Sequence, residues 1–274
     1  MNDVFEQSDM NPTFIFVDGS YYCFYRYFAL LNWWKNAHPE TTIEDPYQNK
    51  EFVNKFKKTF VENLINLPKK LKIHKTTTPF LVVGKDCKRE NIWRMELFSK
   101  YKSNRDQVGF MGGPFFKMAY EEELFQQGGA KAILEHPKLE ADDCIALSVK
   151  YLTNKYPECN IYIITSDHDY LQLASNRVYL YNLAFKNIVG KSACAKDDLE
   201  MKIIMGDTSD NIPSVFPKCG LKTAQKCIED SELFKKKMGN NVEYYAQYEL
   251  NKKLVDFNNI PAELVIEFMA TIKK

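Results

Sequence analysis

Nine carboxylates in this chain stand where they can share one job. The run Thr13–Val17 ends in Asp18, Pro79–Val83 leads through Gly84 and Lys85 into Asp86, and Ile161–Thr165 runs on to Asp167 and Asp169. Glu140-Ala141-Asp142-Asp143 and Asp207-Thr208-Ser209-Asp210 add two further acidic clusters. Continuous apolar runs read as buried parallel strands, and ligands of such sheets sit beyond the carboxyl ends of the strands. Carboxylates crowded at one sheet edge repel one another, and a core does not need them. Hard divalent cations, Mg²⁺ or Mn²⁺, make the crowding tolerable. Two such ions about 3.5–4 Å apart form a clamp for phosphoryl transfer. Asp18, Asp167 and Asp169 also suit helix caps, and Asp210-Asn211-Ile212-Pro213 is good turn chemistry. Three strand ends together with two clusters favour the metal.

The elements that would hold these groups follow from periodicity. Strands are predicted at 13–17, 79–83, 161–165 and 178–181. An aromatic-rich helix runs from Tyr21 to Trp34, and residues 37–50 read as a loop. Phe52, Val53, Phe56, Phe60, Leu64 and Leu67 have helical spacing, with Pro68 as the stop. Residues 86–130 are basic, then glycine-rich, then acidic and helical near 119–127, which is the pattern of a lid. Glu140–Leu152 reads as a helix with Glu140 and Asp143 one turn apart. Helices follow at 197–205, 221–230, 240–256 and 261–273, and residues 1–12 read as a loose polar tail. Strands alternating with helices, then an all-helical end, predict an α/β fold: a mostly parallel central sheet flanked by helices. Residues 13–195 would form the core, with 86–130 inserted as the lid, and 196–274 the helical region.

With 274 residues, 45% of them hydrophobic, the chain can bury a sizeable core. The net charge of +1 identifies no partner, but its distribution does. Residues 50–75 carry eight Lys against two Glu, and 85–105 carry seven Lys or Arg against three acids. Basic flanks around an acidic centre suit a polyanion held over metal ions. Solvated helix faces explain the first stretch better when it is taken alone. Seven scattered cysteines without a Cys-x-x-Cys pair argue against a zinc site and for reduced thiols inside a cell. No signal peptide or membrane-length apolar run is visible, and a monomer is the default.

Six motifs in order resemble the structure-specific 5′ nuclease family, which includes flap endonucleases, the 5′-nuclease domain of DNA polymerase I and phage 5′ exonucleases. They are Val17-Asp18-Gly19-Ser20; Trp93-Arg94-Met95-Glu96-Leu97 with Tyr101-Lys102-Ser103-Asn104-Arg105; Leu139–Asp143; Thr165–Leu173; Met205–Pro213; and Gly220-Leu221-Lys222-Thr223-Ala224. The resemblance covers roughly 13–230. It implies a PIN-like core, an arch at 86–130 and a duplex-binding helix-turn-helix motif in the C-terminal region. Asp86 is displaced from the strand end, and Phe216-Pro217-Lys218-Cys219-Gly220 is one residue longer than the usual loop.

The resemblance implies hydrolysis of a phosphodiester near a 5′ end with two ions per site. Asp18, Asp86, Glu140 and Asp142 would surround the first. Asp167, Asp169, Asp207 and Asp210 would surround the second, with Asp142 or Asp143 reaching it. Arg94, Lys85 and Lys88 are the cations expected to position the scissile phosphate. Lys102 and Arg105 would grip the strand, and Lys218, Gly220, Lys222, Thr223 and Lys226 the duplex backbone, which gives register and not sequence reading. Tyr21, Tyr22, Tyr25 and Tyr27 have spacing suited to stacking on a base and better suited to core packing. His168, between two ligands, is expected at the surface. The implied partners are flap, nicked or gapped DNA, with RNA–DNA hybrid as a further class. The alternatives are a PIN-type ribonuclease, which generally lacks the arch and the Gly-x-Lys-Thr-Ala-type motif, and an inactive scaffold, which would have lost carboxylates. A small-molecule phosphatase or nucleotide-binding protein lacks its phosphate-cradling glycine loop here.

Overall fold

The computed structural model describes residues 3–40, 43–105, 109–190 and 194–273. Five parallel strands form the sheet: β1 (Thr13–Asp18), β2 (Phe80–Gly84), β3 (Ala132–Leu134), β4 (Asn160–Ile164) and β5 (Val178–Tyr181), in the order β3-β2-β1-β4-β5. The helices are α1 (Gly19–Ala37), α2 (Lys50–Ile65), α3 (Leu67–Lys70), α4 (Arg94–Leu97), α5 (Gly113–Glu121), α6 (Leu124–Gln127), α7 (Ala141–Lys155), α8 (Ala195–Met205), α9 (Leu221–Glu229), α10 (Ser231–Met238), α11 (Val242–Val255) and α12 (Ala262–Ile272). Among the described residues no helix is long and apolar enough to cross a membrane.

The central strand β1 is buried on both faces because Phe14 and Phe16 enter one cluster and Ile15 and Val17 the other. The first cluster packs α7 and α12 on the sheet, and the second packs α1, α2, α5 and α6 on the opposite face. Tyr22 and Tyr27 lie in that second core, as their spacing suggests. A smaller cluster of Ile204, Val215, Phe216, Cys219, Ala224, Cys227 and Met238 holds α8, α9 and α10 together.

Several expectations change. The N-terminal stretch is docked: Phe5 is fully buried against Phe14 and Phe16, and Val4 donates its amide to the Ile272 carbonyl. A single phenylalanine outweighs the polar composition around it. Pro68 does not stop a helix; α2 ends at Ile65 and Pro68 sits in the first turn of α3, where its missing N–H costs nothing. The short edge strand β3 has only three residues, too few for an alternation signal. The acidic helix is two pieces, broken where Glu123 takes a left-handed φ of 55°. The helix α10 begins where Asp230 accepts from the amides of Glu232 and Leu233, a cap that composition alone hides.

Candidate active site

The strand registers place the acidic ends together. Asp18 is level with Gly84, Val17 with Ile164, and Gly84 with Leu134, so β1, β2 and β4 finish along one edge. Asp18 caps α1 by accepting from the Tyr21 amide at 3.0 Å. Asp86 lies between two helix starts, accepting from Ser20 on α1 and from the Ala141 amide of α7 at 2.8 Å. Glu140 caps α7 in a reciprocal box with Asp143. Thus two helix N-termini face the carboxylates, and their dipoles offset part of the repulsion. Gly84 makes the close approach possible: a Cβ there would fall 2.9 Å from the Ala141 carbonyl. The cap reading and the site reading therefore coexist at Asp18, and at Asp167, which accepts from the Asp169 amide.

Asp18, Asp86, Glu140, Asp142 and Asp167 line one cleft of about 600 Å³. Asp167 and Asp207 line a second groove of about 1100 Å³ that continues to Lys218, Gly220 and Leu221. Asp167 is the hinge between the two. Oxygens of Asp169, Asp207 and Asp210 come within 4.8 Å of one another, as do those of Glu140, Asp142 and Asp143. Gly206 supports the second set: its φ of 74° and the Ile212 carbonyl 2.4 Å from a notional Cβ admit only glycine.

Electrostatics divide the carboxylates. Burial at the strand end, then Asp86, pushes Asp18 up to about 7. Burial, then Asp143 and Glu140, raises Asp142 well above the usual carboxylate range. Among the described residues no Lys or Arg forms an ion pair with Asp18, Asp86, Asp142 or Asp167. Asp207 differs: burial alone would raise it, yet Lys202 at 2.7 Å and Ser209 hold it at about 2. An all-oxygen, under-neutralised donor set fits a hard divalent cation. Cys87, which also lines the cleft, is pushed up to about 12 by burial and then Glu140, so it stays a thiol and a poor ligand.

The predicted cations divide too. Arg94 is 2% exposed and does not reach the cleft. Its guanidinium takes both oxygens of Asp143 at 2.7 and 2.8 Å, Glu140 at 3.0 Å and the Leu254 carbonyl at 2.7 Å. Asp143 is fully buried and is also bound by the Trp93 indole. Both touch Glu140, Arg94 through its guanidinium and Asp143 through the reciprocal cap of α7. Lys85 pairs with Glu135 at 2.5 Å and, with Lys88, lines a separate groove behind Asp86. Lys102 bonds Glu140 and lies 3.7 Å from Asp210, and Arg105 pairs with Asp210. Lys222 and Lys226 are exposed one turn apart on α9, beside half-buried Thr223. His168 is exposed.

Four residues that line the cleft or touch its carboxylates lie outside the set that the sequence points to. Arg89 lines the cleft and donates to the carbonyls of Lys102 and Arg105. Lys202 bridges Asp169 and Asp207. The Tyr101 hydroxyl touches Glu140 at 3.1 Å and Asp210 at 3.2 Å, and Ser20 holds Asp86. Lys202 had a signal, five residues before Asp207 on the helix that feeds it; Arg89 had only its place beside Lys88.

Residues 13–202 match the family model described as 5′-3′ exonuclease, N-terminal resolvase-like domain. The 5′-3′ exonuclease of Buchnera aphidicola subsp. Acyrthosiphon pisum (strain APS) is 30% identical over 225 residues, covering 78% of this chain and 68% of that protein. The 5′-3′ exonuclease of Bacillus subtilis (strain 168) is 31% identical over 160 residues, covering 54% of this chain and 51% of that one. T5 5′-exonuclease with zinc bound shares the fold at a TM-score of 0.61 and 17% identity, over 95% of this chain and 98% of that one. The acidic edge of the sheet and the family match over most of the chain lead to one statement: this chain belongs to the 5′-3′ exonuclease family and is a nuclease.

Proposed function

We propose that this chain hydrolyses phosphodiester bonds near the 5′ end of branched or 5′-ended DNA in replication or repair, using two Mg²⁺ or Mn²⁺ ions. The observation that carries the reading is the convergence of Asp18, Asp86, Glu140, Asp142 and Asp167 in one cleft, from three strand ends and one helix start. A bound ion pair there would supply an activated water and stabilise the leaving oxygen.

Asp18, Asp86, Glu140 and Asp142 hold the first ion, Asp169, Asp207 and Asp210 the second, and Asp167 lies where it serves both. Arg89 at the cleft rim orients the scissile phosphate with a planar fork of donors. Lys218, Gly220, Lys222, Thr223 and Lys226 hold the duplex backbone, a contact that weakens with salt. The groove running from Asp167 to Lys218 supports that path. Residues 13–195, with the arch at 86–130, work as the cutting unit and 196–274 as the duplex-holding unit. Residues 106–108 of that arch lie outside the described residues. One copy of the chain supplies every carboxylate, which supports a monomer, and its free thiols support a reducing compartment.

The test is cleavage of 5′-labelled flap, nicked, gapped and single-stranded DNA and of RNA–DNA hybrid, with Mg²⁺, Mn²⁺ or chelator, beside Asp167→Ala. Metal-dependent cutting near the junction, lost in the variant, is expected. Silence on every substrate with either metal overturns the proposal.

A further inference from the structure

The two acidic groups are neutralised by different means. Asp169, Asp207 and Asp210 are matched by protein cations: Lys202 pairs with Asp169 and Asp207, Arg105 with Asp210, and Lys102 stands 3.7 Å from Asp210. Three carboxylates thus face three cationic side chains. In the first group Glu140 is paired with Arg94 and with Lys102, whose shorter contact it is, whereas Asp18, Asp86 and Asp142, like Asp167, have no ion pair among the described residues. Two of the three cations come from the base of the arch, and the backbone there is tied to the same loop. The Lys102 amide donates to the Asp210 carbonyl at 2.8 Å, Asn104 to the Thr208 carbonyl at 2.6 Å, and Asn211 to the Lys100 carbonyl at 2.9 Å.

We propose that Arg105 and Lys202 are resident counter-ions of the second acidic group, which takes up a divalent ion strongly only after DNA phosphates draw Arg105 away. The inference rests on the two-ion reading above and adds an order of filling. An ammonium inside a carboxylate cluster repels an incoming dication at short range. A phosphate offers Lys and Arg an alternative anion of equal or greater charge density. Arg105 therefore exchanges one partner for another, while Lys202, anchored on α8, stays and weakens the second ion throughout. Linkage makes the coupling mutual: DNA strengthens the second ion by the factor by which that ion strengthens DNA binding. The first group keeps Asp18, Asp86 and Asp142 without an ion pair among the described residues, so it fills without DNA.

Calorimetric titration with Mn²⁺ alone tests this on the wild type, Arg105→Met and Lys202→Met, each checked for folding by circular dichroism. The DNA-free wild type is expected to bind one ion tightly and a second about a hundredfold more weakly, a gap that one or two nearby unit charges produce. Each variant is expected to strengthen the second step by about tenfold or more. A 5′-flap DNA with phosphorothioate linkages, which keep the charge, is expected to strengthen the second step in the wild type and far less in Arg105→Met. Two equally tight ions in the DNA-free wild type overturn the inference and leave the nuclease reading intact, as does a second step that neither folded variant changes. Absence of even the first ion overturns the two-ion reading itself. Should either variant unfold, the wild-type contrast between the two steps, with and without DNA, still decides.

Discussion

Arg94 and Asp143 form a two-point ion pair sealed from solvent, with Nη2–Oδ1 at 2.7 Å and Nη1–Oδ2 at 2.8 Å. The pair links the arch base to the start of α7 and fixes Glu140 at 3.0 Å from the same guanidinium. Breaking it leaves a buried charge unpaired. Arg94→Met is expected to cost about 3–5 kcal/mol, read as a lowered denaturation midpoint with an unchanged slope. Cleavage should fall at temperatures where the variant is still folded, because Glu140 loses its anchor.

Asp18 gives the metal-free protein a pH signature. Its folded pKa is raised to about 7 from 3.8, so the folded chain keeps a proton that the unfolded chain releases. Stability is then greatest below the unfolded value, falls as pH rises towards about 7 and is flat above it, a loss on the order of a few kcal/mol. Adding Mg²⁺ displaces the proton, so the gain in Tm should be larger at pH 8 than at pH 5.5, with proton uptake by buffer at the lower pH. Equal gains at both pH values would remove Asp18 from the ion's surroundings.

Arg89 and Lys88 are neighbours with different outlooks. Arg89 faces the cleft and holds two arch carbonyls, whereas Lys88 lines the groove behind Asp86. Arg89→Ala is expected to lower kcat/KM by about 10–100-fold, and Lys88→Ala by less than about tenfold. Steady-state kinetics on one flap substrate separate the two; the reverse order would return the positioning role to Lys88.

Phe5 should behave as a core residue although it lies in a polar stretch. Its ring meets Phe14 at 6.0 Å and Phe16 at 6.1 Å. Phe5→Ala is expected to destabilise by about 3–5 kcal/mol, measured by urea melts, with metal affinity of the folded protein unchanged.

Much of this was legible because the informative signals are local. Runs such as Phe14–Val17 announce strands, and a carboxylate just past a run announces the edge where it will stand. The strand-end carboxylates Asp18, Asp86 and Asp167 meet Glu140 and Asp142 in one cleft for that reason. What stayed hidden depends on side-chain direction and long-range partners. Nothing local tells whether Arg94 points at solvent or at Asp143, 49 residues away. Lys85 turns to Glu135 because β2 and β3 bring them side by side, and β3 itself is too short to see. Phe5 is an apolar residue in polar company, and only the empty place beside Phe14 gives it meaning. Counter-ions are hardest of all: Lys202 reads as one more helix-surface lysine until the loop carrying Asp207 folds over it.

The contact between the Trp93 indole and Asp143, at 2.9 Å, gives the molecule an internal optical reporter. Of the three tryptophans, Trp33 and Trp34 sit together on α1 against His38, leaving Trp93 alone beside the acidic shelf. Emission from Trp93 is therefore expected to respond to a change of charge at Asp143 and the adjoining Glu140. Ion uptake beside Glu140 would then be read in unlabelled protein, in real time.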